Sequence, residues 1–347
     1  MKALVTGANG FIGAALVREL VERGYGVRAL VRRTSDLRTL EGMPVEIVQG
    51  DVLDLPAFRD AARGCDVLFH TAGVFAYWGH AEDDLLQLSV VGAQNAVEAA
   101  ALGGVSRVVL TSSSVIFGST RRPVWRDEQC ELRDPYPPAY IRAKAAQACA
   151  AFEVATERSV DLVAVCPTMV LGERDYRLVP SNRLIVAYLE DAFKATFPGG
   201  CNLVHVRDVA RGHALVAERG ESGASYLLGS ENWEWWRIHR TISQLCGIPG
   251  PLLTATHTSA SLVAVAAELS AQLTGRTPSV TRAQARMVGR YYWYDHARAS
   301  SLGYHPRPAR QALADAIAWL MKSGHISVDL RQRLNPTAEV FASMARV

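Results

Sequence analysis

The spacing of Tyr140 and Lys144 suits acid–base chemistry. The pair follows a proline-rich segment, residues 135–138, and opens the alanine-rich stretch KAAQACAAFEVATE, which predicts a helix. Residues four apart share one face of a helix, so the phenol and the ammonium should lie together. An ammonium there favours the phenolate and lowers a pKa that is ordinarily ~10, which suits proton exchange with a substrate. Such pairs also arise by chance in many helices, and the lysine can equally hold a ribose.

A run of hydroxyl side chains, Thr111 to Ser114, strengthens this interpretation. It ends a predicted strand, at the edge of the sheet where ligands of doubly wound folds bind. From there Ser113 can hydrogen-bond a substrate oxygen and stabilise charge that develops on it.

A glycine-rich turn follows the first predicted strand, KALVT, and leads into a helical stretch, ALVRELVERG. Glycines allow a tight turn and close backbone approach to a pyrophosphate, which a helix N-terminus favours electrostatically. An ordinary turn is the alternative, but the strand–turn–helix context favours a dinucleotide site. Its residues are Gly7, Asn9, Gly10, Phe11, Ile12 and Gly13.

Arginines end the second predicted strand, where a site for NAD usually has Asp or Glu. The sequence here is Val31-Arg32-Arg33. Because a guanidinium matches phosphate oxygens, we expect Arg32 to bind a 2′-phosphate, ahead of Arg33 and Arg38. The predicted cofactor is therefore NADP, with NAD as the alternative if these arginines are only solvated.

Two further strand ends complete the predicted cofactor site. Asp51 can accept from the adenine amino group with Val52 beside the base, or can cap a helix instead. Small residues, Thr71, Ala72 and Gly73, let the backbone pass close to the cofactor. His70 is expected to be a packed, hydrogen-bonded side chain rather than an acid or base.

These residues require an α/β fold of the Rossmann type, with a doubly wound parallel sheet and a smaller C-terminal substrate lobe. Short apolar runs alternate with helical stretches over the first half, as in strands buried on both faces. We expect residues 1–167 to form the NAD(P)-binding domain, with about 201–230 returning to it. Residues 168–200 and 231–347 should form mainly the substrate lobe. The predicted strands are 2–7, 27–32, 45–51, 66–73, 107–114 and 161–167.

Composition limits the partners. The 347 residues carry a formal net charge of +3 without a long basic run, which gives no case for nucleic acid or a membrane surface. Six dispersed cysteines and a start without a secretory signal pattern predict a reduced, cytoplasmic protein without a metal. The apolar stretch 262–273 contains Glu268 and is too short to span a bilayer, so we expect a packed helix.

Across nearly its whole length the chain resembles the extended short-chain dehydrogenases/reductases. The motifs TGANGFIG, GDVLD, HTAG, TSSSVIFG, YIRAK, LVHVRDVA and LGYHP occur in family order. The resemblance implies that hydride passes at nicotinamide C4 while Tyr140 handles the proton beside Lys144. The catalytic hydroxyl falls on Ser113, with Ser114 as the fallback. Other segments are similar to the dihydroflavonol-reductase-like branch, which includes proteins labelled hopanoid-associated sugar epimerases.

Departures from the family patterns constrain the reaction. Dehydratases of the family have an Asp-Glu pair where this chain has Ser114-Val115. Epimerases have a Phe-Asn pair at the position of Met169, and a methionine cannot make the hydrogen bonds of the asparagine amide. The loop with Pro167 and Thr168 resembles that of carbonyl reductases, where it lies beside the nicotinamide. We therefore expect a reductase. A sugar-nucleotide epimerase and a non-catalytic cofactor-binding protein are the alternatives.

The substrate is expected to be a small molecule, but its identity is barely encoded. Ser89 replaces a family asparagine near the active site. Resemblance implies that helices near 82–102 and 140–157 can form a homodimer, although Ala143, Ala146 and Ala150 can equally pack inside one subunit. Each candidate pocket residue is also compatible with a position in a core or in contact with solvent. The candidates are Phe75, Tyr77, Trp78, Arg174, Asp175, Tyr176, Arg177, Arg183, His205, Asp208, Trp233, Trp235 and Trp236.

Overall fold

The computed structural model describes residues 1–73, 82–275, 278 and 280–346. Its strands are β1 (Lys2–Thr6), β2 (Gly26–Val31), β3 (Val45–Gln49), β4 (Val67–His70), β5 (Arg107–Thr111), β6 (Asp161–Pro167), β7 (Met169–Leu171), β8 (Ala195–Thr196), β9 (Gly200–His205), β10 (Ser225–Leu228), β11 (Glu231–Glu234), β12 (Leu253–Thr254) and β13 (Tyr291–Tyr292).

The helices are α1 (Phe11–Glu22), α2 (Leu55–Ala62), α3 (Glu82–Gly103), α4 (Ala139–Arg158), α5 (Pro180–Glu190), α6 (Val206–Arg219), α7 (Trp235–Cys246), α8 (His257–Thr274), α9 (Arg282–Ala285), α10 (Ala297–Ser301), α11 (Ala309–Lys322), α12 (Val328–Arg333) and α13 (Ala338–Met344). A short 3-10 helix, η1 (Ser114–Phe117), follows β5.

A seven-stranded parallel sheet confirms the predicted fold class. Its strand order is β10-β6-β5-β4-β1-β2-β3, and every neighbouring pair is parallel. All six strands predicted from apolar runs belong to it. The order changes direction at β1, which lies between β2 and β4, so the carboxyl ends of β1 and β4 open a crevice of the kind that binds dinucleotides.

Helices cover both faces of this sheet. On one face Val5 packs in a core with Leu16 of α1 and Val209 of α6. On the other, Leu4 packs in a core with Phe58 of α2 and side chains of α3 and α4. Consecutive residues of β1 thus point into different cores, because side chains alternate along a strand. Burial on both faces explains why the inner strands read as largely apolar runs, whereas the edge strand β3 is partly exposed.

A smaller sheet forms beside the large one. In it β9 pairs with β11 antiparallel, and with β7 and β13 parallel. After β9 the chain goes back to the large sheet, since α6 packs against α1 and β10 joins β6. The third core contains residues of this lobe together with Tyr140, Ile141 and Phe117. It therefore extends to η1 and to the first turn of α4.

Helix α3 was a candidate membrane span by its composition, and α4 was a candidate for a dimer interface. Within the described residues, Asp83–Gly103 of α3 has the length and hydropathy of a membrane span, but α3 packs against α2 and α4, as a core helix does. On α4, Ala143 and Ala150 are buried inside this subunit.

The expectation of a packed helix at 262–273 is wrong in one respect. The segment is helical, but Leu262, Leu269 and Leu273 are exposed, and only Ala264, Glu268 and Ala271 of α8 are buried.

Candidate active site

Ser113 and Tyr140 meet at the carboxyl edge of the large sheet. Ser113 follows β5, and Tyr140 lies in the first turn of α4. Their side chains are hydrogen-bonded and both are buried. Burial raises the pKa of Tyr140 to about 12, and the hydrogen bond with Ser113 opposes that rise only in part. The phenol is therefore in its neutral form at neutral pH.

Lys144 lies one turn further along α4, also buried, with its ammonium held by two acceptors. Nζ donates to the carbonyl oxygen of Thr111 at 3.1 Å and to Oε1 of Gln147 at 2.9 Å. Burial lowers the pKa of Lys144 to about 8. The expectation that Lys144 lowers the pKa of Tyr140 is not met in this structure, because desolvation of the phenol outweighs any effect of the ammonium.

Gln147 was not among the predicted site residues. It is almost fully buried, and Nε2 has no partner within the described part of the chain, although Oε1 binds Lys144. Residues three apart are neighbours on a helix, so the spacing from Lys144 was the available signal.

The glycine-rich turn forms a close contact between β1, α1 and the end of β4. Gly7 has φ of +63°, a region that side chains disfavour. A Cβ on Gly7 would lie 2.7 Å from Ala72, and one on Gly13 only 2.1 Å from the Gly7 carbonyl oxygen. Gly10 precedes α1, whose first turn, starting with Phe11 and Ile12, has no acidic residue. A helix N-terminus of this kind suits a pyrophosphate.

The arginines after β2 differ in their surroundings. Arg38 is held by Asp36, with 2.6 Å between Nη2 and Oδ2, and its guanidinium lies over the Tyr176 ring. Arg32 and Arg33 are exposed, and no ion pair among the described residues includes either. Asn9 donates to the Asp36 carbonyl oxygen at 3.0 Å and so ties this loop to the glycine-rich turn.

The segment around Tyr176 lies against this cofactor-side loop. Hydrogen bonds from Arg38, and to a smaller extent the charge of Arg177, lower the pKa of Asp36. Burial, followed by the charge of Arg174, lowers the pKa of Arg18 of α1 to about 10. Tyr176 also packs edge-on against Trp319. These residues were considered for substrate binding; the described ring contacts of Tyr176 are with Arg38 of the loop after β2 and with Trp319 of α11. Asp175 is buried and accepts from Val179 N and Asn182.

The remaining predicted cofactor residues lie at the ends of β3 and β4. Asp51 accepts from Leu53 N at 3.0 Å, and Asn95 of α3 donates to the Val52 carbonyl oxygen at 2.9 Å. Thr71 donates to the Thr6 carbonyl oxygen at 2.6 Å, and Ala72 N donates to the Thr6 hydroxyl. A Cβ on Gly73 would lie 3.4 Å from Lys144 Nζ, so this strand end adjoins the side chain of Lys144.

The loop after β6 makes one hydrogen bond to a side-chain amide and one contact between two sulfur atoms. Pro167 ends β6, and the Thr168 hydroxyl donates to Asn202 at 2.9 Å. Met169 Sδ lies 3.5 Å from Cys201 Sγ. The hydrogen-bonding amide that the epimerase pattern has near Met169 is therefore replaced by a thioether against a thiol.

The histidines near the site have structural roles. His70 is buried, its Nδ1 lies 3.0 Å from the Thr6 hydroxyl, and burial lowers its pKa to about 3. His205 lies between Asp315 and Glu173 in a buried cluster whose spacing could hold a metal ion. Each carboxylate there also faces an arginine, Arg207 on Glu173 and Arg346 on Asp315. Asp208 accepts from Arg307 N and Nε.

The aromatic candidates are mostly packed elsewhere. Trp233 is buried under Arg237, whose Cζ lies 4.0 Å from its ring centroid, and Trp236 lies beside Arg240. Trp235 packs on Phe197. Ser89 is buried in α3, and Arg183 lies in α5. Phe75, Tyr77 and Trp78 lie outside the described residues.

Comparison with known proteins identifies the family. A profile of the NAD dependent epimerase/dehydratase family matches residues 3–229, which include Ser113, Tyr140, Lys144 and the glycine-rich turn. The chain belongs to this family of extended short-chain dehydrogenases/reductases. Within the family it is similar to a putative dihydroflavonol 4-reductase of Synechocystis sp., with 33% identity over 93% of this chain and 95% of the relative.

Two more relatives are similar over the whole length. Sterol demethylase protein B of Methylococcus capsulatus is 32% identical over 94% of this chain and 100% of that protein. Cinnamoyl-CoA reductase 1 of Oryza sativa subsp. japonica is 31% identical over 93% of this chain and 91% of that protein. The chain is thus an NAD(P)-dependent enzyme of a family that contains both reductases and epimerases.

Solved structures agree on the fold. The crystal structure of gox2253 has a TM-score of 0.83 at 33% identity, over 94% of this chain and 99% of that one. The UDP-glucose 4-epimerase of Thermus thermophilus, in complex with NAD, has a TM-score of 0.74 at 19% identity, over 94% and 100% of the two chains. At that identity the epimerase shows the shared fold alone.

Proposed function

We propose that this enzyme reduces the carbonyl group of an aldehyde or ketone with NADPH. The observation that carries the proposal is the hydrogen-bonded Ser113–Tyr140 pair, with Lys144 beside it, at the sheet edge next to the glycine-rich turn. The similarity to a putative dihydroflavonol 4-reductase and to cinnamoyl-CoA reductases supports reduction as the reaction.

The residues present fit a dinucleotide. Gly7 and Gly13 let β1, α1 and β4 approach so closely that a Cβ would clash, and this leaves the start of α1 to the pyrophosphate. Arg32 and Arg33 would hold a 2′-phosphate, and Lys144 would hold the nicotinamide ribose. When bound, NADPH supplies a hydride from nicotinamide C4 to the carbonyl carbon.

The side chains then handle the carbonyl oxygen. Ser113 orients that oxygen by hydrogen bonding, and the Tyr140 phenol gives it a proton as negative charge develops. One hydride on carbon and one proton on oxygen make the alcohol. A pKa of about 12 keeps Tyr140 protonated and ready to donate at neutral pH. The phenolate left behind is stabilised by the hydrogen bond from the Ser113 hydroxyl.

Steady-state assays of the purified full chain test this proposal. NADPH consumption is followed with a panel of aldehydes and ketones that includes a dihydroflavonol. Cinnamoyl-CoA is tested as well, because some of the relatives are cinnamoyl-CoA reductases. Products are identified by chromatography. We expect oxidation of NADPH coupled to alcohol formation with at least one carbonyl compound. Interconversion of UDP-glucose without net NADPH consumption would instead make the protein an epimerase. Tight NADPH binding without turnover of any compound would make it a cofactor-binding protein.

A further inference from the structure

Helix α8 presents an apolar face to solvent. Leu262, Leu269 and Leu273 are 68%, 56% and 89% exposed, and Val263 and Val265 are exposed as well. In contrast, the buried residues of this helix are Ala264, Glu268 and Ala271. Small side chains and a single carboxylate therefore attach α8 to the protein, while its large apolar side chains point outward.

The exposed side chains form a continuous stripe. Positions 262, 265, 269 and 273 recur every three or four residues, so they lie on one side of the helix, opposite the buried set. The chain just before α8 adds Leu252 and Leu253, and Phe193 precedes β8, the partner strand of β12. We call these residues the α8 face: Phe193, Leu252, Leu253, Leu262, Val263, Val265, Leu269 and Leu273. Several large apolar side chains exposed along one helix usually mark an interaction site.

The exposed charges on α9, next to α8, are positive, whereas Phe193 follows Glu190 and Asp191. Glu268 is the one carboxylate among the described residues from 257 to 294, and it is buried against Arg282, with 2.6 Å between Oε2 and Nε. The neighbouring helix α9 places Arg282 and Arg286 at the surface, whereas Arg290, which follows α9, pairs with Asp134 at 3.4 Å. Arg286 has no ion pair within the described part of the chain, and the Arg282 side chain remains 68% exposed.

We propose that the α8 face docks on an anionic lipid surface. Leucines, valines and a phenylalanine would enter the boundary between headgroups and acyl chains, and the arginines of α9 would lie at the level of anionic headgroups. A second copy of this chain is the competing occupant, and the oligomeric state of the protein distinguishes it from a lipid surface. The proposal does not depend on which carbonyl compound the enzyme reduces.

Vesicle sedimentation with the full-length protein tests the proposal. The probes are phosphatidylcholine vesicles with and without phosphatidylglycerol, at low and high salt. The test variant combines Leu262→Gln, Leu269→Gln and Leu273→Gln. A matched control combines Leu102→Gln and Val328→Gln, which change exposed apolar residues elsewhere. A third variant, Arg286→Gln, removes one charge. Thermal unfolding of each variant verifies that it is folded.

We expect the native protein and the control to sediment with phosphatidylglycerol vesicles, more weakly at high salt. The triple variant should bind at least about 100-fold more weakly, because three leucines no longer leave water. Arg286→Gln should weaken binding to the anionic vesicles only. No binding to either vesicle, or equal binding to both, would overturn the proposal. So would a dimer in sedimentation velocity that the triple variant dissociates, since the α8 face would then be a contact between copies.

Discussion

The side-chain oxygen Oε1 of Gln147 lies 2.9 Å from Nζ of Lys144, one turn apart on α4. Together with the Thr111 carbonyl oxygen, it holds two of the three N–H donors of the ammonium. The third donor can then be directed at the cofactor. Gln147 touches none of the reacting atoms, so it acts as a positioning residue for the lysine.

Replacement of Gln147 should lower kcat and change the pH dependence of kcat/KM. In Gln147→Leu the buried ammonium loses an acceptor, which lowers the pKa of Lys144 further below about 8. We expect kcat to fall about tenfold, the worth of a hydrogen bond to a charged group. The alkaline limb of the pH profile of kcat/KM should move to lower pH. The free energy of unfolding should also fall, because a buried ammonium is left with one acceptor fewer, so the shift of the pH profile is the decisive readout.

Gln147→Glu is the matched variant. A carboxylate next to Lys144 raises the pKa of the lysine, so the alkaline limb should move to higher pH. Equal losses of activity in both variants without a shift of the limb would show that Gln147 only packs the helix.

Tyr140→Phe should remove the proton donor and leave the cofactor site intact. We expect kcat to fall by about 10²- to 10⁴-fold, the usual contribution of general acid catalysis. NADPH affinity, measured by fluorescence titration, should stay the same. Tyr136→Phe, on the exposed segment before α4, is the control and should be fully active. A Tyr140→Phe enzyme with native kcat would contradict the proposed mechanism.

Arg32→Ala should weaken NADPH specifically. Loss of a charge-assisted contact with the 2′-phosphate should raise KM for NADPH about 10- to 100-fold, with little change for NADH. Arg38→Ala is the internal comparison, because Arg38 is already held by Asp36 and lies over Tyr176. A larger effect in Arg38→Ala than in Arg32→Ala would mean that the loop rearranges when the cofactor binds and that Arg38 is the phosphate ligand.

The large sheet was predictable because its strands are buried on both faces. Runs such as ALV in β2 and VLF in β4 are apolar without alternation, which is typical of parallel strands between two helical layers. The contact between Ser113 and Tyr140 was also predictable. Parallel strands place their carboxyl ends at one edge of the sheet, where Ser113 follows β5 and where α4 begins with Tyr140 in its first turn.

Features that depend on tertiary packing were not predictable. The pKa of Tyr140 follows from how deeply the phenol is buried, and spacing along a helix does not reveal burial. The contact of Tyr176 with Arg38 joins segments far apart in the chain. The outward direction of Leu273 and its neighbours on α8 reverses the usual rule that apolar periodicity marks a core face.

Three buried histidines should make the fold sensitive to acid. Burial lowers the pKa of His70 to about 3, and those of His213 and His239 to about 4, against ~6.5 in the unfolded chain. Below pH ~6.5 the unfolded state binds more protons than the folded state, so acid favours unfolding. The stability that these neutral imidazoles contribute is therefore complete above pH ~6.5 and is lost as pH falls toward about 4.

Denaturant unfolding at a series of pH values measures this effect. Each histidine should contribute about 1.4 kcal/mol per pH unit to the slope of the free energy of unfolding below pH ~6. His213→Gln should reduce that slope by one such contribution, although it also disturbs the contact with the Thr111 hydroxyl at 2.9 Å and so lowers stability at neutral pH. His257→Gln, on an exposed residue of α8, should leave the slope unchanged. An unaltered slope in His213→Gln would show that this imidazole is not kept neutral by the fold.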